Sequence, residues 1–411
     1  DVEQLDKAPP RGVHRHYARL GLVSFPDSET DCRRLWPPQA EGEGCDCTIC
    51  VTPEYHASGA LTIQNAVDQV KASGGTVCLA AGVYVLGDAP VKIEDAQSVR
   101  LRGQGWRTML TASGPALRIA GCASVTVEEM AMVSAGAGEE AAVTAVNCLD
   151  VRLLRLTMIV FAGRERVSPA IGLAGTLIST QVRDNTIVAP IGIAASTANA
   201  QKRAHLATAV LRIEDSALWC QRRAVSLDGL CFHLAETRLR GNNVLGCSQI
   251  ALGLTGAVAP GFAADIDHNT LWVSGDAIVA GVDGARIEAN EINQLGSAAG
   301  RDGIVLAPGL DATGIDRCQV IGNRVAGPSG AGIAVRTRLR SAMIKGNIVE
   351  GSGAGIVFED KGAADTIAIE NNQLIDIAAA ANSPDAAPVG VRVINARSAA
   401  IVGNTVRGLA L

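Results

Sequence analysis

Large aromatic side chains are scarce in this sequence. Its 411 residues include only four tryptophans, three tyrosines and five phenylalanines, although 48% are hydrophobic and 45 are glycine. Because protein interiors are closely packed, a core built chiefly from valine, isoleucine, leucine and alanine is expected to be narrow. A single large globular core is therefore not favoured.

The sequence also lacks long apolar runs and a basic stripe. No run approaches the roughly 18 apolar residues of a membrane-spanning helix, so we expect no membrane span. The formal net charge is −5 and the lysines and arginines are scattered. Without a basic patch, nucleic acid is not an expected partner.

A short pattern, asparagine then a variable residue then a β-favouring apolar residue, recurs along the second half. From Asn242 onward it repeats at intervals of 21 to 33 residues, which is typical of a solenoid. Its members are Asn185, Asn242, Asn269, Asn290, Asn323, Asn347, Asn372 and Asn404.

Each repeat carries short alternating strands and no sustained helical period. Examples are GIVLAPG from Gly303 and GVRV from Gly390. Strands and turns alone predict an all-β, single-stranded parallel β-helix of about 11 coils, roughly 50 Å long at about 4.8 Å per coil. A hexapeptide helix or leucine-rich repeat is not indicated, because neither period occurs.

We expect the asparagines to be structural. An asparagine tolerates the left-handed backbone region of a turn, and its amide hydrogen-bonds nearby main chain. Stacked turns would then form an internal amide ladder along the rod.

Three regions are predicted: an irregular segment over 1–54, a capping helix with the first coil over 55–90, and the β-helix over 91–411. The helix should begin at Thr62, bury Ile63, Ala66, Val67 and Val70, and end at the glycines Gly74 and Gly75. It would cover the N-terminal end of the rod.

The capping region, TIQNAVDQVKASGGTVCLAAGVYVL, resembles the N-terminal cap and first coil of the pectate-lyase-like superfamily. The turn at Ala80–Tyr84 has alanine where that superfamily commonly has proline. The resemblance implies a right-handed β-helix and a module that binds or processes polysaccharide.

The leading segment, including KAPPRGVHRHYARLGLVSFPD, is similar to an uncharacterised bacterial family linked to phage-tail-like particles. This resemblance implies that 1–31 is the tail of an upstream domain, and that particle components are partners. The chain begins at Asp1 and ends at Leu411, so we expect a fragment, or another element over the last coil. The compartment stays open between a particle-associated and an extracellular bacterial protein.

Four cysteines lie close together near the N-terminus: Cys32, Cys45, Cys47 and Cys50. Four thiolates could bind zinc or an iron–sulfur cluster, although the spacing lacks a second CxxC pair. Disulfides or free thiols are the alternatives. The other seven are expected to be small buried residues, namely Cys78, Cys122, Cys148, Cys220, Cys231, Cys247 and Cys318.

The strand pattern extends the register to coils in which Met130, Leu156 and Ser216 take the place of the asparagine. The position two residues before the asparagine or its replacement should form an outward row across the coils. Its predicted members are Glu128, Leu154, Arg183, Glu214, Arg240, Asp267, Glu288, Ile321, Lys345, Glu370 and Val402. Most of the row should be solvated ion pairs. Asp267 beside Glu288 is the exception, because two neighbouring carboxylates repel unless a cation, a shared proton or distance relieves them.

The string ADIDHNTL, containing Asp265, Asp267 and His268, is similar to the WIDH element of calcium-dependent pectate lyases. That resemblance implies Ca²⁺ at Asp267 and Glu288, with a proton-abstracting arginine from Arg286, Arg240 or Arg301. The RxPxxR arginine motif of those enzymes is absent. The strings typical of polygalacturonases and C5-epimerases are absent too.

Asp228 and His233 are a further candidate acid–base pair, and we expect a turn between them. Because polysaccharide grooves commonly stack sugars on aromatic rings, Trp219, Trp272 and Phe232 are the candidate substrate-binding residues. The alternative is a non-catalytic structural rod. No cofactor beyond Ca²⁺ or Zn²⁺ is indicated, and the oligomeric state stays open.

Overall fold

The computed structural model describes residues 47–87, 89–135, 140–161, 168–195, 206–256, 263–296, 300–308, 314–358, 364–378 and 388–408, excepting the side chains of 228–235 and 263. Cys32, Cys45 and the segment resembling the phage-tail-associated family lie outside the described residues. The N-terminal boundaries of the predicted regions therefore stay predictions.

Two helices precede the coils: α1 (Pro53–Ser58) and α2 (Ile63–Val70). Thr62 caps α2 as predicted, since its side chain accepts a hydrogen bond from the Asn65 amide at 3.1 Å. The four predicted apolar residues of α2 are buried. The helix ends at Val70, before the glycines expected to end it, and sequence analysis did not predict α1.

The first half of the chain contributes strands of 3 to 24 residues. They are β1 (Ile49–Val51), β2 (Gly75–Leu79), β3 (Gly82–Gly87), β4 (Val91–Glu94), β5 (Ser98–Ala112), β6 (Leu117–Ala120), β7 (Ser124–Ser134), β8 (Val143–Leu154), β9 (Thr157–Val160), β10 (Pro169–Arg183), β11 (Thr186–Ala195), β12 (Leu206–Glu214) and β13 (Ala217–Arg240).

The second half has shorter strands. They are β14 (Asn243–Gly246), β15 (Ile250–Gly256), β16 (Ala263–Asp267), β17 (Thr270–Val273), β18 (Asp276–Gly281), β19 (Ala285–Glu288), β20 (Glu291–Gln294), β21 (Ile304–Leu306), β22 (Cys318–Ile321), β23 (Arg324–Ala326), β24 (Ala331–Val335), β25 (Leu339–Lys345), β26 (Ile348–Glu350), β27 (Ala354–Phe358), β28 (Ala364–Glu370), β29 (Gln373–Ile375), β30 (Val389–Arg392), β31 (Ala396–Val402) and β32 (Thr405–Arg407).

The strands stack as a parallel solenoid with three faces. From β14 onward each strand pairs in parallel with the strand three places later. Face 1 is the ladder β16–β19–β22–β25–β28–β31, face 2 is β14–β17–β20–β23–β26–β29–β32, and face 3 is β15–β18–β21–β24–β27–β30. The earlier, longer strands bend from one face to another. The predicted parallel β-helix of about eleven coils is confirmed.

The core is a narrow column of small and branched apolar side chains, as predicted from the aromatic shortage. On each face, the side chain of every second residue points inward, for example Leu239, Ile266 and Ile287 on face 1. Tyr84 and Phe358 are the aromatic residues fully buried in the described part. Tyr84 donates its hydroxyl to the Val51 carbonyl at 2.8 Å, which satisfies its one polar group.

The predicted asparagine ladder is confirmed at the corner between faces 1 and 2. Each amide donates to the amide oxygen of the next coil at 2.8 to 3.0 Å, from Asn242 through to Asn404. The same oxygens accept backbone N–H groups, as Asn290 does from Asn269 at 3.0 Å. Ser216 replaces an asparagine and links Asn185 to Asn242.

The prediction that these asparagines adopt the left-handed backbone was wrong. That conformation belongs to the residue immediately before each of them, including Gly241 (φ 64°), His268 (φ 56°) and Ala289 (φ 52°). The preceding residue makes the turn, while the asparagine points inward to bond the neighbouring coils. Glycine occupies this position in several coils because it carries no Cβ penalty there.

Five of the predicted buried cysteines are buried free thiols: Cys122, Cys148, Cys220, Cys247 and Cys318. Cys78 is also buried, as predicted, but it is not a thiol, because it forms a disulfide with Cys47 across 31 residues of sequence. The side chain of Cys231 lies outside the described residues. The disulfide joins the chain just before β1 to the first coil, beside the parallel pairing of β1 with β2.

Candidate functional site

The charged row predicted on face 1 exists. Strand registers place Glu128, Leu154, Arg183 and Glu214 in line, and continue through Arg240, Asp267 and Glu288 to Val402. Ion pairs between neighbouring coils include Arg240–Asp267 at 3.4 Å and Lys345–Glu370 at 3.3 Å. Arg183 contacts Asp215 at the corner, at 3.5 Å.

Asp267 and Glu288 are neighbours in register, as predicted, but each has its own arginine. Arg240, one coil earlier, lies 3.4 Å from Asp267, and Arg286, two residues before Glu288 on the same strand, is paired with Glu288. These arginines offset the repulsion between the two carboxylates. Of the three candidate arginines, Arg301 lies elsewhere, 3.9 Å from Asp276.

This donor set does not fit a calcium ion well. Calcium takes about six to eight oxygen ligands, mostly carboxylate and carbonyl. Two carboxylates engaged by arginines offer few, and no group of three or more metal-ligating side chains occurs among the described residues. One oxygen of Asp267 is buried without a hydrogen bond. The calcium prediction therefore stays a prediction.

His268 is positioned by Asp267. Its Nδ1 lies 2.9 Å from the Asp267 carboxylate, and its side chain is 57% exposed. His268 occupies the left-handed corner position, so it projects from the ridge between faces 1 and 2. A carboxylate at Nδ1 favours the tautomer with a proton on that nitrogen, which leaves Nε2 as a base.

Sequence analysis did not single out Asp265 for its chemistry. Burial raises the pKa of the Asp265 carboxyl, the positive charge of Arg238 opposes the rise, and the negative charge of Asp267 adds to it. Arg238 lies 3.6 Å away. The string Asp-Ile-Asp contained the signal, since alternate residues of a strand share a face.

Glu128 is the most enclosed carboxylate of the row, with a side chain 3% exposed. Arg100 and Arg155 bind it from the coils on either side, and Arg102 lies 3.9 Å away. Three arginines around one carboxylate occupy its hydrogen-bonding capacity. This cluster therefore ties coils together and offers no open ligand position.

The cysteine cluster is only partly described. Cys47 is bonded to Cys78, so it carries no thiolate while that disulfide is intact. Cys50 is not disulfide-bonded and is in register with Cys78. A zinc site at Cys32, Cys45, Cys47 and Cys50 would require the disulfide to be reduced.

Asp228, Phe232 and His233 lie within strand β13, and their side chains are outside the described residues. Strand β13 is continuous between Asp228 and His233, but it passes from face 3, where Asp228 is in register with Thr255, towards face 1. His233 is in register with Thr208 of the preceding coil. Their role as an acid–base pair stays a prediction.

Trp219 and Trp272 lie together on face 2, two coils apart. Leu245 stands between them in register with both. The exposed fractions of the three side chains are 40%, 43% and 43%. Earlier coils extend the same outward row with aliphatic residues, Val133, Ile159 and Val188.

Leu245 was missed because only aromatic residues were considered. The row occupies the third position after each ladder residue, as Trp219 follows Ser216, Leu245 follows Asn242 and Trp272 follows Asn269. At about 4.8 Å per coil, the two indoles are about 10 Å apart along the rod. The result is a flat, exposed apolar strip with an indole at each end.

Comparison with known proteins supports the fold. Residues 256–408 match the family model described as right handed beta helix region. No curated protein matches the chain in sequence. The described residues include no helix long and apolar enough to cross a bilayer.

Two solved structures are similar. The catalytic domain of a GH87 α-1,3-glucanase, in complex with nigerose, is 12% identical, covering 90% of this chain and 70% of that one, with a TM-score of 0.55. The tailspike protein of E. coli bacteriophage HK620, in complex with a pentasaccharide, is 15% identical, covering 76% and 62%, with a TM-score of 0.49. This chain thus spans less than two thirds of the tailspike's length.

At such identities the likeness concerns fold alone. The stacked parallel coils, the asparagine ladder and the matched region agree with the predicted handedness. The chain has the right-handed parallel β-helix fold.

Proposed function

We propose that this protein binds a polysaccharide along face 2. The observation that carries the proposal is the exposed row of Trp219, Leu245 and Trp272, in register on three successive coils. Exposed contiguous apolar surface on a soluble protein commonly marks a binding site. Flat indoles present a large apolar area to the C–H face of a sugar ring at small entropic cost.

The rigidity of the solenoid supports this role. Each tryptophan stands on a strand paired on both sides, so the spacing of the indoles is fixed by backbone hydrogen bonds. A ligand that bridges them would lose little free energy to protein ordering. The two similar solved structures described above both contain a bound oligosaccharide, so proteins of this fold can bind such ligands.

Binding to immobilised polysaccharides tests the proposal. Trp219→Ala and Trp272→Ala should each weaken binding about five- to tenfold, the amount expected for one lost ring stacking contact. Trp106→Ala is the matched control, because Trp106 is similarly exposed but lies outside the row. Equal effects of all three variants, or binding to no polysaccharide, would refute the proposal.

Cleavage of the bound polysaccharide is a second candidate, favoured by one contact. Asp267 orients His268 at 2.9 Å, and His268 stands four residues before Trp272 on the ridge beside face 2. A histidine so held can transfer a proton to or from a ligand on that face. Release of reducing ends by the wild type and its loss in His268→Ala would support cleavage.

The calcium-dependent lyase hypothesis concerns the same corner, at Asp267, and is tested by a separate assay. Under that hypothesis, incubation with oligouronates and Ca²⁺ would give an unsaturated, ultraviolet-absorbing product that disappears in Asp267→Asn. The absence of product and of calcium binding would end that hypothesis. Mounting on a phage-tail-like particle remains part of the proposal on the N-terminal resemblance alone.

A further inference from the structure

Among the described residues, the two rows of face 2 whose side chains point away from the core contain no charged residue over the first eight coils. These rows run along the face, one from Val83 to Thr270 and the other from Val85 to Trp272. Ala131, Thr157, Thr186 and Ala217 of the first row are buried, so the surface open to a ligand is chiefly the second row. The first reads valine, methionine, alanine, threonine, threonine, alanine, asparagine, threonine. The second reads valine, threonine, valine, isoleucine, valine, tryptophan, leucine, tryptophan.

The charge-free surface ends abruptly after Trp272. The next coil places Glu291 beside Thr270, and the following coil places Arg324 beside Glu291. Face 1, by contrast, carries ion pairs over much of its length. The absence of charge is therefore a property of these two described rows over a stretch of about 34 Å.

Charges border this surface without entering it. Asp215, at the corner of the Trp219 coil, is paired with Arg183 at 3.5 Å. The corner positions of the next two coils are Gly241 and His268. On the opposite border, Arg222 is exposed three residues beyond Trp219.

We infer that the ligand of face 2 is a neutral polysaccharide in an extended two-fold conformation, lying parallel to the rod axis. This inference rests on the proposed binding function. A charged sugar laid on these rows would lose water without gaining a counter-charge, which is unfavourable. A neutral sugar stacked on the indoles loses only the water over its apolar C–H face. Its hydroxyl groups, at the edges of the rows, can still form hydrogen bonds.

The spacing of the indoles supplies the second half of the inference. They are two coils, about 10 Å, apart, with Leu245 level between them. In an extended two-fold chain, every second sugar presents the same face to the protein. The length of one disaccharide unit in such a chain is comparable to the distance between the two indoles. Such a chain places equivalent rings on Trp219 and Trp272 together, whereas a coiled chain cannot.

The uncharged groups in the same three coils suit sugar hydroxyls. Asn243 and Thr270 lie on the corner side of the row, and Gln221 and Ser248 lie on the other. Amides and hydroxyls can both donate and accept, as sugar hydroxyls do. The apolar strip thus has neutral hydrogen-bonding groups along both edges.

The test compares three soluble polysaccharides by calorimetry with the full chain: a neutral extended β-1,4-glucan derivative, a neutral coiled α-1,4-glucan and polygalacturonate. We expect the extended neutral polymer to bind at least about tenfold more tightly than the others, which is a difference of about 1.4 kcal/mol. Its affinity should not change with salt. Trp219→Ala/Trp272→Ala should abolish binding, while Trp106→Ala should not.

Two variants that differ in charge at one position test whether the surface must be uncharged to bind the ligand. Leu245→Gln and Leu245→Glu differ only in charge at the exposed centre of the strip, so both should fold. Leu245→Glu should weaken binding about tenfold relative to Leu245→Gln, because a carboxylate beneath a sugar loses its water.

Three results would overturn the inference and are distinguishable. Tighter binding of polygalacturonate would refute neutrality while leaving polysaccharide binding intact. Equal affinity for the coiled glucan would refute the two-fold repeat. Binding to no polysaccharide, with self-association that the double tryptophan variant removes, would refute the proposed function as well and assign face 2 to a protein contact.

Discussion

Single asparagines connect the coils through several hydrogen bonds each. Asn290 donates to the Ile266 carbonyl at 2.8 Å and to the Asn323 side chain at 2.9 Å, and it accepts two hydrogen bonds from Asn269. The asparagine side chains involved are buried at the corner between faces 1 and 2. A break at one rung therefore leaves unpaired polar groups on both neighbouring coils.

Asn290→Ala should lower the free energy of unfolding by about 3 kcal/mol or more, since each buried group left unpaired costs about 1 to 3 kcal/mol. Asn404→Ala should cost less, because Asn404 is half-buried at the last rung. Chemical unfolding followed by circular dichroism measures both. Equal, small losses would show that the ladder contributes little.

A second prediction concerns Asp265. Its carboxyl pKa is raised in the folded protein, chiefly by burial. The folded protein therefore retains this proton to a higher pH than the unfolded chain does. Ionisation of Asp265 opposes folding as pH rises from the unfolded carboxyl pKa, about 3.9, through the raised folded value.

Asp265→Asn removes this dependence. Relative to the wild type, the variant should gain unfolding free energy as pH rises from about 3 to about 7. Asp365→Asn, at a more exposed acid of face 1, is the control. A gain that is constant with pH, or a loss that grows with pH, would contradict the assigned cause.

The register of the charged row could be predicted from residues because asparagine marks the same corner in eight coils and the strand pattern continues through the coils that lack it. The chemistry of Asp265 could not be, since its pKa depends on burial and on Arg238 and Asp267 around it. Arg286 was recognised as a candidate, yet its pairing with Glu288 needed side-chain positions. The left-handed conformation was attributed to the asparagine and belongs to the residue before it. The conformational preference of a residue type does not say which of two adjacent residues makes the turn.

At the scale of elements, the N-terminal cap is fastened in two ways. Helix α2 buries its apolar face against the first coils, and Cys47–Cys78 joins the chain before β1 to β2. The helix was predictable from its N-cap and apolar period. The disulfide was not, because Cys47 and Cys78 are brought together only by the parallel pairing of β1 with β2.

Cys47→Ser/Cys78→Ser should destabilise the cap by about 3 to 4 kcal/mol, the loop-entropy value for a bridge across 31 residues. Hydrogen exchange of β1, α1 and α2 is the measurement. A thiol reductant should produce the same faster exchange in the wild type and have no effect on the double variant. Unchanged exchange after reduction would show that the helices hold the cap unaided.

Considered as a whole molecule, the rod has chemically different faces. Face 1 carries many ion pairs, whereas the described residues in the two rows of face 2 are uncharged over the first eight coils, with two indoles near the end of that stretch. The sequence predicted both tryptophans as binding residues. It did not predict the uncharged face, because that surface appears only when residues from eight coils are placed in register.

The most direct test is a crystal structure of the protein with a neutral extended oligosaccharide. We predict sugar rings stacked on Trp219 and Trp272, with the chain running along the rod axis over Leu245. An oligosaccharide seated on face 1 at Asp267 and Glu288, or running across the coils, would contradict the account.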